Sequence, residues 1–267
     1  MPRFLLAPLL CLLCLAAPPT AARAQDRPGP PKAEPKGDTA QGHLVETTHS
    51  ILLNGVKLEY RATAGTLPLK GDDGKVTAHM FFVAYTRQGG EAVARRPITF
   101  AFNGGPGASA VWLHLGALGP RRVDLGAEGE APVPPYRLVD NDDTLLDVTD
   151  LVFVDPVTTG FSRAADGQDA KRFHGVQQDV ESVGEFIRLY LTRFRRWESP
   201  KFLLGESYGT TRAAALSGYL QDRHGINLNG VALLSSVLNF ETIRFDEGND
   251  LPYVLFLPAY TAAAWYH

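Results

Sequence analysis

The sequence predicts an α/β fold: a mostly parallel sheet with flanking helices, incomplete at its C-terminal side. Compact apolar runs typical of buried parallel strands occur at Ile98 to Phe102, Asp150 to Val154, Lys201 to Leu204 and Gly230 to Leu234. Between them, apolar residues recur at helical spacing from Gly175 to Arg195. The stretch from Thr210 to His224, followed by Gly225 as a C-cap, predicts a second crossover helix.

Three alternating patterns precede these strands and are typical of the antiparallel edge of the same sheet. They lie at His49 to Leu53, Val56 to Ala62 and Ala78 to Thr86. We therefore expect one folded core over residues 43–238, which is long enough to bury a sizeable interior.

The N-terminus has the anatomy of a secretory signal peptide. Arg3 precedes an apolar run from Phe4 to Ala17, and Ala22-Arg23-Ala24 is a small-x-small cleavage site. The run is too short for a stable membrane span, so we expect cleavage near Ala24, a secreted or periplasmic product, and no membrane contact afterwards. Both cysteines, Cys11 and Cys14, lie in this segment, which leaves no disulfide or thiolate metal site in the mature chain.

Residues 25–42 combine several prolines with charged and small residues and predict a disordered linker. The net charge of −3 gives no nucleic-acid-binding footprint. Asn141-Asp142-Asp143 superficially resembles a calcium-binding run, but we interpret it as a solvated loop. No metal or cofactor is expected.

A strand, a tight turn and a helix meet at Gly205-Glu206-Ser207-Tyr208-Gly209. Glycine on both sides, two positions from Ser207, permits the sharp turn that projects a serine hydroxyl off a sheet. This pattern predicts a nucleophile elbow and hence a serine hydrolase. The alternative is an ordinary strand-to-helix loop that happens to contain glycine and serine.

The glycine-rich run from Asn103 to Gly107 directly follows a predicted strand. Its unshielded amides are suited to a developing oxyanion. In hydrolases of this sheet type, one donor follows the nucleophile and the other comes from such a loop, which predicts Tyr208 and Gly105. An ordinary Gly-Pro turn is the alternative.

Four motifs occur along the chain in this order: N-G-G-P-G at Asn103 to Gly107, Gly119-Pro120, Asp155-Pro156 through Phe161-Ser162, and G-E-S-Y-G at Gly205 to Gly209. Together they resemble the serine carboxypeptidase family. The resemblance runs from about Val45 to the C-terminus. It implies an α/β-hydrolase fold, a Ser-Asp-His triad and removal of single residues from peptide C-termini.

The resemblance also implies that Asn103 and Glu206 bind the terminal carboxylate of the substrate. Asn103 would donate an amide hydrogen, and Glu206 would share a proton with that carboxylate, because two carboxylates in contact cannot both be ionised. We therefore expect a mildly acidic optimum for peptide hydrolysis. Alternatively, Glu206 is a buried acid that supports the elbow.

Several positions depart from the family pattern. Alanine replaces an aromatic residue at 101, a cysteine at 108 and an acid at 117; Thr210 replaces a glycine, and no glutamine separates Asp155 from Pro156. These changes leave peptide, ester and acyl-transfer substrates open. The resemblance places Asp155 and Ser162 on a loop facing the site, in either a substrate-supporting or a purely structural role.

The triad acid and histidine expected after Ser207 have no good candidate in the chain. His224 ends the predicted helix, His267 is terminal, and we expect surface roles for the acids Asp222, Glu241, Asp246, Glu247 and Asp250. By the resemblance, residues 239–267 begin a helical cap insertion, and the chain stops before the acid and histidine. It is either an authentic fragmentary product or part of a longer protein.

Three functions are therefore compatible with the sequence. The first is a secreted serine carboxypeptidase. The second is an esterase or acyltransferase on the same fold, and the third is a non-catalytic remnant that binds peptide C-termini. The expected partner is a peptide or small ester; side-chain preference and oligomeric state are not specified by the sequence.

Overall fold

The structure is a computed structural model that describes residues 42–90, 94–126 and 129–267. The predicted signal peptide at 1–24 and nearly all of the predicted linker at 25–42 lie outside the described residues.

Three long strands form the antiparallel part of the sheet: β1 (Leu44–Leu53), β2 (Val56–Lys70) and β3 (Val76–Arg87). Asn54 and Gly55 join β1 to β2, and both have positive φ, as a two-residue hairpin turn requires. All three strands extend beyond their predicted bounds. The added residues of β1 are mostly exposed and show no apolar alternation, whereas the added part of β2 includes the buried residues Leu67 and Leu69.

The remaining elements follow in chain order. They are β4 (Ile98–Phe102), α1 (Val111–Leu113) with a π-helical turn to Leu118, β5 (Arg121–Val123), β6 (Leu138–Asp140), β7 (Asp150–Val154), β8 (Arg163–Ala164), α2 (Val176–Arg193), β9 (Lys201–Glu206), α3 (Tyr208–His224), β10 (Gly230–Leu234) and α4 (Leu251–Tyr266). Short 3₁₀ turns occur at Leu145–Asp147, Ala170–Phe173 and Phe240–Ile243.

The main sheet has the strand order β1-β2-β3-β7-β4-β9-β10, with β8 paired to β3. The neighbours among β7, β4, β9 and β10 are parallel, whereas β1, β2 and β3 alternate in direction. Of the strands described in this sheet, only β1 and β3 run against the rest. The predicted fold class, a mostly parallel sheet with flanking helices, is confirmed.

Apolar side chains cover both faces of the sheet. On one face, Phe82, Phe100 and Leu203 pack with residues of α2 and α3 such as Phe186 and Leu216. On the other face, a second cluster packs around α1 and the Leu145–Asp147 turn. Because both faces are covered, β4 and β7 are buried along their whole length, which explains why they read as continuous apolar runs.

A buried ion network ties together the amino ends of the central strands. Asp150, the first residue of β7, accepts from Arg96 at 2.9 Å and from Arg196 at 2.6 Å. Arg196 also donates to the backbone oxygen of Arg96, and its Nε donates to Ser199 just before β9. The segments that enter three adjacent strands are thereby fastened to one carboxylate.

The helix bounds differ from prediction by one or two residues. Helix α2 spans Val176–Arg193, and α3 spans Tyr208–His224 and is followed by Gly225 as its C-cap, whose φ is +63°. The predicted solvated loop at 141–143 was wrong for Asn141. This side chain is buried and donates to the carbonyl oxygens of Ala117 and Gly119, since the turn after α1 leaves those groups without helical partners.

The C-terminal part exposes much apolar surface. In β10, Val231, Leu233 and Leu234 are substantially exposed, and α4 is apolar almost all round. Phe245 packs on Tyr253 and Phe256 of α4. Of the helices in the described part of the chain, none has the length and hydropathy needed to cross a bilayer.

Candidate active site

Ser207 is the single residue between β9 and α3. Its backbone has φ +57° and ψ −127°, a conformation that non-glycine residues adopt only under strain, typically at functional sites. The side chain is partly exposed. This geometry is that of the predicted nucleophile elbow.

The two glycines around Ser207 are required by close contacts. A Cβ at Gly205 would lie 2.1 Å from the carbonyl oxygen of Gly209, and a Cβ at Gly209 would lie 2.7 Å from that of Phe102. The turn therefore brings strand and helix too close together for any side chain at either position.

The glycine-rich loop after β4 lies against the start of α3. A Cβ at Gly104 would be 2.4 Å from the amide nitrogen of Tyr208. Tyr208 begins α3, so its N–H has no acceptor within the helix. Gly105 is exposed beside it with φ +102°. The two predicted oxyanion donors thus belong to segments in direct contact.

Asn103 and Glu206 are hydrogen-bonded to each other. The Asn103 amide donates to Oε2 of Glu206 at 2.9 Å, and its Oδ1 accepts from the Leu113 amide at 3.1 Å. Asn103 is buried, whereas Glu206 is partly exposed. The asparagine is therefore fixed in orientation, and the carboxylate beside it remains accessible.

One cleft of about 470 Å³ contains four of the five predicted site residues. It is lined by Asn103, Gly105, Ala108, Trp112, Leu113, Ala117, Glu206, Ser207 and Leu234. Tyr208 lines a separate cavity of about 290 Å³ with Pro106, Thr158 and His174. Apart from Asn103, Glu206 and Ser207, the side chains that line the Ser207 cleft are apolar.

Comparison with known proteins identifies the family. A family model described as serine carboxypeptidase matches residues 57–245, well over half of the chain. The chain belongs to the serine carboxypeptidase family. The resemblance given by the sequence motifs is thereby confirmed.

Two carboxypeptidases illustrate the family relationship. The pheromone-processing carboxypeptidase KEX1 of Coprinopsis cinerea is 29% identical over 178 residues, covering 64% of this chain and 27% of that protein. The crystal structure of KEX1(DELTA)P, a prohormone-processing carboxypeptidase from Saccharomyces cerevisiae, matches with a TM-score of 0.50 and 25% identity. That match covers 65% of this chain and 38% of the yeast chain. The chain thus spans less than half the length of either relative.

Two of the departures from the serine carboxypeptidase pattern lie in the cleft. Ala108 and Ala117 both line it, so the acid that the pattern carries at position 117 is replaced by an apolar wall. Thr210 is fully buried in the first turn of α3 and bonds to the Ser207 carbonyl. The glycine of the pattern is thus replaced by a residue with polar contacts of its own.

Asp155 and Ser162 bond to the protein itself. The Asp155 carboxylate accepts from the amides of Ala110 and Phe161, and burial raises the pKa of this carboxyl. The Ser162 hydroxyl donates to the Asp155 carbonyl oxygen and accepts from the Phe81 amide. These contacts favour the structural one of the two predicted roles: the pair fastens the loop after β7 to the start of α1.

The sequence did not indicate the buried pair Arg212–Asp179. Arg212 donates to Asp179 at 2.8 Å and to the backbone oxygen of Asn103 at 2.8 Å, and it lies over the Tyr208 ring. Burial and the Asp179 carboxylate raise the pKa of Tyr208 to about 12. The signal that the sequence offered was Arg212 itself, a charged residue among the small residues at the start of α3. The spacing of residues in the sequence does not pair it with Asp179.

No histidine is among the described residues that line the Ser207 cleft, and its only acid is Glu206. His224 ends α3, about 25 Å from Ser207 along the helix. The acids Asp222, Glu241, Asp246, Glu247 and Asp250 are exposed. In the described part of the chain, no group of three or more His, Cys, Asp or Glu residues is arranged to hold a metal ion.

Proposed function

We propose that the chain acts as a secreted or periplasmic serine-type carboxypeptidase. In this proposal Ser207 attacks the last peptide bond and forms an acyl-enzyme. The amides of Gly105 and Tyr208 bind the oxyanion, and Asn103 and Glu206 hold the substrate carboxylate. The observation that supports it is the shared cleft, in which a strained serine, a glycine-rich loop and an accessible Asn–Glu pair meet.

Serine attack also needs a base, because an unassisted hydroxyl is a weak nucleophile. The activity of this chain is therefore the first quantity to measure. A fluorophosphonate probe reacts with an activated serine, so we expect mass spectrometry to place its adduct on Ser207. Ser207→Ala should abolish the adduct, and Ser217→Ala, which removes a partly exposed serine of α3, should not.

Peptide substrates test the carboxylate-binding step. A carboxypeptidase should release the last residue of a peptide with a free C-terminus and leave the amidated peptide intact. Equal cleavage of both peptides would contradict the role of Asn103 and Glu206.

An esterase or acyltransferase is the second candidate. The apolar wall at Ala117 favours it, because the acid that the family pattern carries there, a contact for the substrate carboxylate, is missing. Turnover of a short acyl ester, with neither peptide cleaved, would support this function over the first.

A peptide-binding remnant is the third candidate, and the Asn103–Glu206 pair in the cleft favours it, because this pair would bind a peptide carboxylate without any catalytic step. It predicts no adduct on Ser207 together with binding of free-acid peptides, measured by calorimetry. Asn103→Ala should abolish that binding.

The secreted or periplasmic location rests on residues 1–24. Expression in a bacterial host should yield a mature N-terminus at Gln25, measured by intact mass. A full-length product retained in the cytoplasm would contradict the proposed location.

A further inference from the structure

The hydroxyl of Thr210 lies between the Ser207 carbonyl and the chain segment after β10. Its Oγ1 is 2.7 Å from the carbonyl oxygen of Ser207 and 2.8 Å from the amide nitrogen of Val237. The residue is fully buried. Water therefore cannot replace either contact without a rearrangement of the elbow.

The proton of this hydroxyl has one good acceptor. Thr210 Oγ1 is 3.4 Å from the Val237 carbonyl oxygen, well beyond its 2.7 Å distance from the Ser207 oxygen. The Val237 oxygen accepts instead from the Thr211 hydroxyl at 2.5 Å. Thr210 thus donates to the nucleophile's own peptide unit and accepts from Val237, while Thr211 bonds only to the loop.

The Ser207 backbone is held from both sides. Its amide donates to the Leu234 carbonyl at 3.0 Å, and its carbonyl accepts from both the amide and the hydroxyl of Thr210. A strained conformation persists only when its surroundings over-determine it. Leu234 and Val237 each bond to the elbow, so the short segment that begins and ends with these two residues is fastened to it at both ends.

We propose that Thr210 is a positioning residue for Ser207. Its hydroxyl couples the loop after β10 to the elbow and keeps Ser207 in the position in which it faces the Gly105 and Tyr208 amides. Glycine, which the family pattern has at this position, cannot make this link. The inference rests on the proposed function, because its readout is the reactivity of Ser207.

The test compares three substitutions by the rate constant of fluorophosphonate labelling per folded molecule. Thr210→Val removes the hydroxyl at similar volume and should slow labelling about tenfold, the effect of roughly one lost hydrogen bond. Thr210→Ser keeps the hydroxyl and should label within about twofold of the wild-type rate. Thr211→Val removes a bond to the same loop without touching Ser207 and should also label normally.

With a measurable peptide substrate, Thr210→Val should lower kcat and leave KM unchanged, because the Asn103–Glu206 pair is intact. Should this variant fail to fold, Thr210→Ala replaces it in the comparison with Thr210→Ser. Equal labelling of the hydroxyl-free variant and wild type would overturn the inference. So would a tenfold loss in Thr210→Ser, since the methyl group would then be responsible. An unlabelled wild type would instead refute the proposed function.

Discussion

A Cβ placed on Gly104 would lie 2.4 Å from the amide nitrogen of Tyr208, so the two segments that carry the proposed oxyanion donors touch through backbone alone. The distance between the loop and the elbow is therefore set by the absence of one side chain. Any residue larger than glycine at position 104 must push the two amides apart.

Gly104→Ala should consequently lower the Ser207 labelling rate by tenfold or more and cost about 1–3 kcal/mol of stability, as overpacking does. The labelling rate and the thermal midpoint measure the two effects. Gly218→Ala is the matched control, since a Cβ at Gly218 in α3 meets nothing within 4 Å and should raise stability by up to about 1 kcal/mol. A Gly104→Ala variant that labels at the wild-type rate would exclude this loop as an oxyanion donor.

Glu206→Gln should flatten the dependence of KM on pH. Two carboxylates in contact cannot both be ionised, so a free-acid peptide should bind beside Glu206 only together with one shared proton, and the wild-type KM for that peptide should rise with pH. A glutamine at this position leaves the substrate carboxylate as the single acid of the pair, so the variant should show little change. The measurement is KM as a function of pH; parallel curves for both proteins would assign Glu206 to support of the elbow.

Trp112→Ala should weaken binding of peptides that end in apolar residues. Trp112 is 72% exposed at the rim of the Ser207 cleft, beside Leu113 and Leu234. Loss of its contact surface should raise KM for a peptide ending in leucine about tenfold and change KM for one ending in lysine far less. Stability should be unaffected because the ring is exposed. Equal changes for the two peptides would mean that the indole does not contact the substrate side chain.

His114 should make the protein less stable in mild acid. It stacks on Phe153, bonds to the Tyr85 hydroxyl, and burial lowers its pKa to about 4. The unfolded chain binds a proton at this histidine near pH 6.5, so the stability that neutral His114 contributes to the fold is fully present above that pH. This stability is lost as the pH falls from 6.5 to 4, and the loss amounts to about 3 kcal/mol.

Urea unfolding of His114→Gln and wild type at pH 4.5 and 7.5 tests this prediction. The variant should lose less stability on acidification. Asp155, whose pKa is raised by burial, acts in the opposite direction but equally in both proteins, so the comparison removes it. His267→Gln at the exposed terminus is the control. Identical pH dependence of all three proteins would contradict the prediction.

Asp150→Asn should destabilise the fold by about 3–5 kcal/mol, because Arg196 and Arg96 would be left buried without a counter-charge. Asp140→Asn breaks the exposed pair with Arg121 and should cost less than about 1 kcal/mol. Chemical denaturation measures both. Similar losses in the free energy of unfolding for the two substitutions would show that burial does not determine how much the Asp150 network stabilises the fold.

The sequence predicted those parts of the fold whose signal is local. The strands at Ile98–Phe102, Asp150–Val154 and Gly230–Leu234 were predicted to the residue, because each is a compact apolar run. The first two are covered on both faces of the sheet, whereas Gly230–Leu234 is mostly exposed. The turn at Ser207 was predicted because two glycines are needed within five residues.

Contacts between distant segments were not predictable. Arg212 meets Asp179 and the backbone of Asn103, and Asn141 bonds to the turn after α1, only once the sheet has aligned its strands. The role of Thr210 was likewise hidden, since the sequence shows a substitution of glycine but not the carbonyl that the new hydroxyl reaches.

The ion network around Asp150 lies at the amino ends of the central strands, and the Ser207 cleft lies at their carboxyl ends. The residues that fasten the strands are therefore distant from those proposed to act on the substrate. Segments that wall the cleft, such as residues 108–118, make no bond to the Asp150 carboxylate. Substitution of the exposed wall residues Trp112 and Ala117 should therefore alter substrate preference and keep the fold, which makes this part of the wall a practical starting point for directed evolution.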